Sequence, residues 1–329
     1  MTRGTGPDDV GGAGPGREVA VKPTLGYLLP TREQIMEGRP ETAPLLALAE
    51  RAHGLGFDSV WVGDSLTARP RHDPLTLLAG VAGRVKSLTI GTAVLLPVLR
   101  NPVILAHQVA TLDQLAEGRL ILGVGFAADR LNIRAEFAAA GVPFEHRIGR
   151  MLEGLRLCRA LWTGQPVDWD GRWQTTQATV APTPHRPGGP QLWIGGNLPG
   201  SLDRAGRYFD GWFPIAPSAA DFAAGLARVR DVAAANGRDP ASVGGAMYLT
   251  VALDDVAEAA EDRLNRFLER YYSQPAPVLR QRQACYAGPA AGLAAWLDGY
   301  AAAGAGHLVL RFAGDHERHL AAVAKLRHA

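Results

Sequence analysis

Cysteine is scarce in this chain. Only Cys158 and Cys285 occur in 329 residues, and they do not form a closely spaced pair. That excludes a compact cysteine zinc site and a Cys-x-x-Cys redox motif, and leaves both as reduced structural thiols. No run approaches the roughly twenty apolar residues of a membrane span. Neither sign of charge dominates: 34 basic and 32 acidic side chains leave a formal +2, too little to gather nucleic acid or anionic lipid. An early His-x-His pair, which a metal-dependent hydrolase on a barrel requires, is also missing, and Leu25-Gly26-Tyr27 stands at that place. No metal is expected. The opening MTRGTGPDDVGGAGPGREVA has no apolar core of signal-peptide length, so residues 1–22 read as a disordered leader. A cytoplasmic enzyme acting on a small molecule is expected, without nucleic-acid or membrane partners.

The chain is 47% hydrophobic and 20% charged, enough apolar material for a large buried interior. From Thr24 onward, short apolar runs alternate with segments of helical period, the pattern of parallel strands joined by helices. Eight strands are predicted: Thr24–Pro30, Ser59–Asp64, Leu88–Pro97, Arg119–Ala127, Gln191–Gly196, Gly211–Ala216, Gly244–Leu253 and His307–Phe312. Eight parallel strands close on themselves, so residues 23–329 are expected to form a single α/β domain, a (β/α)8 TIM barrel with insertions at its C-terminal face.

Between the strands, Pro44–His53 and Pro102–Ala116 carry helical apolar stripes, and Asp73 and Asn101 precede Pro74 and Pro102 as helix caps. The fourth connection is too long for one helix. It contains a periodic stretch at Arg147–Trp162, then a hairpin around Asp170-Gly171 and a Pro/Gly-rich loop expected to dress the mouth. Ser273–Gly288 reads as a second, irregular insertion. His107 reads as packed on an apolar helix face, and His316 with His319 as a surface pair.

Working groups in a closed barrel sit at the C-terminal strand ends. Here those ends are Val62-Gly63-Asp64-Ser65, Gly91-Thr92-Ala93-Val94, Gly123-Val124-Gly125-Phe126 and Gly195-Gly196-Asn197. Apart from Asp64, the lining is small and apolar, which suits a flat aromatic ligand better than a metal. Asp64 has two readings: contact with substrate or cofactor, and a turn cap or ion pair with Arg69 or Arg71.

The stretch LTIGTAVLLPVLRNPVILAHQVATLDQLAEGRLILGVGFA, Leu88–Ala127, resembles the third strand, third helix and fourth strand of the bacterial luciferase-like flavin monooxygenases and their deazaflavin-dependent relatives. GFDSVWVGDSL from Gly56 resembles their second strand, and QLWIGGNLPGSLDRAGRYFDGWFP from Gln191 their fifth and sixth. The resemblance implies a flavin ring lying across the mouth against Thr92, Ala93 and Val94, with a non-proline cis peptide at Ala93–Val94. It implies a cofactor phosphate at Gly195, Gly196, Asn197 and Ser201, where glycines and a helix N-terminus favour an anion. Asp64, Ser65 and Phe126 would orient the substrate together with the fourth-loop insertion.

Two departures bear on the chemistry. Luciferases proper carry histidine at the end of the second strand, where this chain has Asp64 and Ser65, and Phe126 replaces a frequent basic residue, so long-chain aldehyde luminescence is not expected. The deazaflavin branch often shows Asp-His there, which Asp64 fits and Ser65 does not. The expected activity is a two-component monooxygenase using reduced FMN (FMNH2) from a separate flavin reductase, in a homodimer as among relatives. The alternative is hydride transfer by the deazaflavin coenzyme F420. Gly123-Val124-Gly125-Phe126-Ala127-Ala128 imitates a dinucleotide fingerprint, but it follows the fourth strand rather than the first, against an NAD(P)-dependent dehydrogenase. A non-catalytic flavin carrier would need the same pocket.

Overall fold

The computed structural model describes residue 1 and residues 22–328, so the leader expected over 1–22 falls almost wholly outside the described residues. The strands in chain order are β1 Thr24–Leu28, β2 Ser59–Val62, β3 Thr89–Leu95, β4 Leu120–Val124, β5 Val167–Asp170, β6 Gln174–Ala178, β7 Gln191–Ile194, β8 Gly211–Trp212, β9 Gly244–Leu253, β10 Cys285–Gly288 and β11 His307–Phe312. β1, β2, β3, β4, β7, β8, β9 and β11 pair in parallel in that order. β11 returns to β1 from Thr24↔His307 to Tyr27↔Leu310 and closes the expected eight-stranded barrel. β2 and β11 are buried along their whole length, as strands covered on both faces must be. Several strands stop short of their sequence ranges; β8 ends at Trp212 rather than Ala216. Those last residues leave the ladder and form the mouth.

Tryptophan fills the barrel. Trp61 on β2 stacks on Trp193 of β7 with centroids 5.5 Å apart, and Phe213 packs 5.2 Å from Trp61. Room for the indole comes from neighbouring strands. A methyl on Gly26 would stand 2.6 Å from Trp61 Nε1, and one on Gly91 would overlap the same ring. Beneath the stack His307 sits in a chain of donors whose order fixes its tautomer. Trp61 Nε1 donates to Ser59 Oγ at 2.8 Å, so the Ser59 hydroxyl proton turns to His307 Nε2 at 2.8 Å. His307 Nδ1 then donates to Thr24 Oγ1 at 2.7 Å, and Thr24 donates to Gly306 O at 3.2 Å. Burial pushes the His307 imidazole down to about 4.

Asp73 and Asn101 cap their helices as read, accepting from Thr76 N and Val103 N, each at 2.9 Å. The hairpin β5–β6 also forms, but none of its described residues lines the mouth. Arg172 in its turn is tied to Glu153 on the helix Arg147–Leu161. The excursion that does reach the mouth is a helix not anticipated from sequence, Leu131–Ala139.

Ser273–Gly288 is not irregular. It holds a helix, Ala276–Arg280, and β10. β8 holds β9 only at Gly244 and Gly245, leaving the far half of β9 an open edge that β10 fills from Thr250 to Leu253.

The histidine readings also change. His107 is exposed. His319 is buried, with Nε2 accepting from Leu253 N at 2.9 Å, and His316 Nδ1 meets Tyr27 Oη at 2.7 Å. Among the described residues no helix is long and apolar enough to cross a membrane.

Candidate active site

The strand ends surround a cavity of about 270 Å³, close to the lower end of the roughly 300–1,000 Å³ usual for small-molecule sites. One wall is apolar and comes from the barrel itself: Ala93, Val94, Gly195, Phe213 and Ile215. The Ala93–Val94 peptide is cis, and the β3–β4 register slips between Thr92 and Leu95. Val94 spreads over the next two strand ends. A methyl on Gly125 would stand 2.7 Å from Val94 Cγ2, and one on Gly195 would stand 3.9 Å from its Cγ1. The result is a flat, small-residue wall. Thr92 does not line it; its buried hydroxyl donates to Gly123 O at 2.8 Å and braces the slip from behind.

The rest of the lining is largely basic and aromatic. Arg69 and Arg71 follow β2, Arg130 follows β4, Tyr248 lies on β9, and Tyr271 and Tyr272 end the helix Ala257–Tyr272.

Asp64 lines the cavity, but its oxygens are engaged. Oδ2 accepts from Leu96 N at 2.9 Å and Arg100 Nη1 at 2.5 Å, and Oδ1 accepts from Arg100 Nη2 at 3.2 Å. Its partner is neither Arg69 nor Arg71. Burial works against the Arg100 charge, yet Asp64 and Asp73 outweigh it and raise the guanidinium above its ordinary value. Asp64 thus latches the end of β2 to the loop after β3.

Ser65 is likewise a brace. Its hydroxyl donates to Glu136 Oε1 at 2.6 Å and accepts from Arg69 N at 2.9 Å. Glu136 Oε1 also takes Leu66 N, Thr67 N and Ala68 N at 2.6, 3.0 and 3.1 Å. Its other oxygen, Oε2, is buried without a partner, although Glu136 lines the cavity. Sequence reasoning missed Glu136 because it sits on the unanticipated helix, well beyond the strand end.

Phe126 is absent from the cavity lining. Its ring lies under the Arg204 guanidinium, 5.2 Å from the centroid, and its carbonyl accepts from Arg147 Nε at 3.1 Å. The fifth-strand turn divides similarly. Gly195 faces the cavity, whereas Gly196 at φ 109° turns the chain, a conformation only glycine adopts freely. Asn197 is exposed and Ser201 is buried at the first turn of the helix Pro199–Tyr208. Arg204, on the same helix, donates to Ser201 Oγ at 3.3 Å and leaves its buried Nε unpartnered. A guanidinium folded back onto a helix N-terminus puts two positive features together, and an anion there would satisfy both.

A family model described as luciferase-like monooxygenase matches residues 24–329. The chain belongs to that family. This luciferase-like chain is 33% identical over 302 residues to an F420-dependent hydroxymycolic acid dehydrogenase of Mycobacterium tuberculosis, covering 86% of this chain and 81% of that one. It is 32% identical over 225 residues to an F420-dependent glucose-6-phosphate dehydrogenase of Mycolicibacterium smegmatis, covering 66% of each. Among solved structures, an F420-dependent secondary alcohol dehydrogenase in complex with an F420-acetone adduct superposes with a TM-score of 0.79 at 20% identity, over 93% of this chain and 98% of that one. The luciferase-like protein is therefore an enzyme of an oxidoreductase family on a (β/α)8 barrel.

Proposed function

We propose that this protein is a coenzyme F420-dependent oxidoreductase that interconverts a small alcohol and its carbonyl compound. The observation that carries this reading is the 33% identity, over most of both chains, to an F420-dependent dehydrogenase. It favours the F420 alternative over the FMNH2 monooxygenase expected from sequence, and the alternative requires no flavin reductase.

The residues fit such a cofactor. Ala93, Val94, Gly195 and Phe213 offer the flat apolar wall a tricyclic ring needs, and Gly196, Ser201 and Arg204 offer an uncompensated positive turn for its phosphate. When bound there, the deazaflavin supplies a two-electron hydride acceptor or donor. The chain's own part is to hold the substrate beside that wall, exclude water, and manage one proton. Glu136 is suited to the last task. Four donors fix Oε1, which leaves Oε2 to receive the hydroxyl proton when the alcohol loses its carbon-bound hydrogen. In the reverse direction Oε2 returns it.

Anaerobic titration with oxidised and reduced F420, and in parallel with FMN, tests the reading. Binding of F420 well above FMN, with no reaction of the reduced complex on admitting oxygen, is the expected result. Preferential FMNH2 binding with oxygen consumption would return the protein to the monooxygenase reading.

A further inference from the structure

The three arginines that line the cavity have no ion-pair partner among the described residues. Asp64 and Asp73 are taken by Arg100, and the Glu136 Oε1 is filled by the 65–68 loop. Among the described residues, none of Arg69, Arg71 and Arg130 forms an ion pair. They are held instead by neutral groups. Arg69 lies 4.9 Å from the Tyr272 ring centroid, Arg71 lies 6.0 Å from that of Tyr271, and the Gln274 amide faces the Arg130 guanidinium. Both tyrosines are backed by a fourth cation. Arg311, almost fully buried, donates to Tyr272 Oη at 2.8 Å and lies 4.8 Å from the Tyr271 ring.

Arg71 reaches deepest. A methyl on Gly63 would collide with its Nη1 and stand 3.5 Å from Ala93 O, so the guanidinium lies across the end of β2 beside the apolar wall. Glu33 acts on Arg71 through space without pairing with it, and burial pushes the Glu33 carboxyl up, toward its neutral form. Burial, with the charges of Arg71 and Arg130, also pushes Arg69 down. Burial works against the Arg71 charge too, but Tyr271, Glu33 and Tyr248 outweigh it and raise the guanidinium above its ordinary value. The cations therefore persist in a partly desolvated mouth where none has an ion-pair partner among the described residues, and an anionic ligand would supply one.

We propose that Arg69, Arg71 and Arg130 form an anion subsite for the substrate, so that the alcohol or carbonyl compound carries a carboxylate or a phosphate monoester at the end remote from the reacting carbon. This assignment of substrate class rests on the F420 reading above. Arg69, Arg71 and Arg130 line the cavity whereas Gly196, Ser201 and Arg204 are not among its lining residues, so two anions, one from each ligand, have different residues to meet. Guanidinium forks match carboxylate and phosphate oxygens in pairs, and Tyr271 and Tyr272 close the sides. The same anion chemistry could come from the cofactor's own acidic tail, and the test separates the two sources.

The probe is inorganic phosphate, titrated calorimetrically at constant ionic strength into the full chain, first free and then saturated with F420. Phosphate is expected to bind both forms, and Arg71→Gln and Arg69→Gln to weaken it about tenfold each, the scale of one charged hydrogen-bonded pair, with F420 affinity little changed. Absence of phosphate binding by the wild-type chain, or binding indifferent to both substitutions, overturns the subsite. Loss of phosphate binding on F420 saturation, with weaker F420 binding in both variants, overturns the substrate assignment and gives the arginines to the cofactor tail. The titration of the F420-saturated wild-type chain, whose Gly196–Ser201–Arg204 turn is already taken, stands even if a variant fails to fold. Failure of the chain to bind F420 at all would sink the F420 reading alone, because phosphate binding by a free Arg204→Gln chain, and its loss on adding Arg69→Gln or Arg71→Gln, still reads the arginines.

Discussion

Arg100 closes on both carboxylate oxygens of Asp64 while Leu96 N donates to one of them, and the Asp64 side chain is only 2% exposed. The acidic residue that sequence pointed to as catalytic is thereby consumed in holding two strand ends together. Removing one member of a buried pair strands the other, at about 3–5 kcal/mol. Asp64→Ala and Arg100→Ala are each expected to lower the free energy of unfolding by about 3 kcal/mol in urea titrations. An Asp64→Ala protein of wild-type stability with lost turnover would restore the catalytic reading.

Glu136 separates structure from chemistry by substitution. Glu136→Ala leaves the Ser65 hydroxyl and three backbone N–H groups without their acceptor, so a loss of about 3 kcal/mol is expected. Glu136→Gln retains an acceptor at the Oε1 position but cannot take a proton at the other. It is expected to fold, to bind F420 normally, and to slow alcohol oxidation by about 10²–10⁴-fold, the usual contribution of a general base. Wild-type rates in the glutamine variant would remove Glu136 from the mechanism.

Arg204→Gln tests the cofactor turn. About tenfold weaker F420 binding is expected from loss of one charged contact, with thermal stability nearly unchanged because Arg204 forms no ion pair among the described residues. Unchanged affinity at low salt would move the cofactor phosphate elsewhere.

The pH dependence of stability follows from His307. Its folded value of about 4 lies below the roughly 6.5 of an unfolded histidine. The unfolded chain therefore binds the extra proton between these values. Full stability holds above pH 6.5 and is lost as pH falls toward 4, by on the order of 3 kcal/mol. Burial shifts His316 in the same direction, to about 3. Urea midpoints at pH 7.5 and 4.5 read the effect, and equal midpoints would contradict the neutral, tautomer-locked imidazole.

Sequence carried the barrel well because its signals are local. Strand runs such as Gly244–Leu253 and His307–Phe312 match the observed strands end to end, and Asp73 and Asn101 announce their helices by standing before proline. The helix Leu131–Ala139 was not legible, since LNIRAEFAA mixes charged and apolar residues without a clear stripe. β10 was not legible either. Four residues after two prolines become a strand only because β9 leaves an edge beside them.

What the sequence determined by itself was the alternation of strands and helices, the glycines at the strand ends and the family. Each is written in residues close together along the chain. Tertiary structure alone decided which acidic groups remain free. Asp64 meets Arg100 thirty-six residues away and Ser65 meets Glu136 seventy-one away, while Arg69 and Arg71 reach the tyrosines of a distant helix and Arg130, from another loop, faces Gln274 just beyond it. Charge partners are set by proximity in space, and barrel closure brings those loops together.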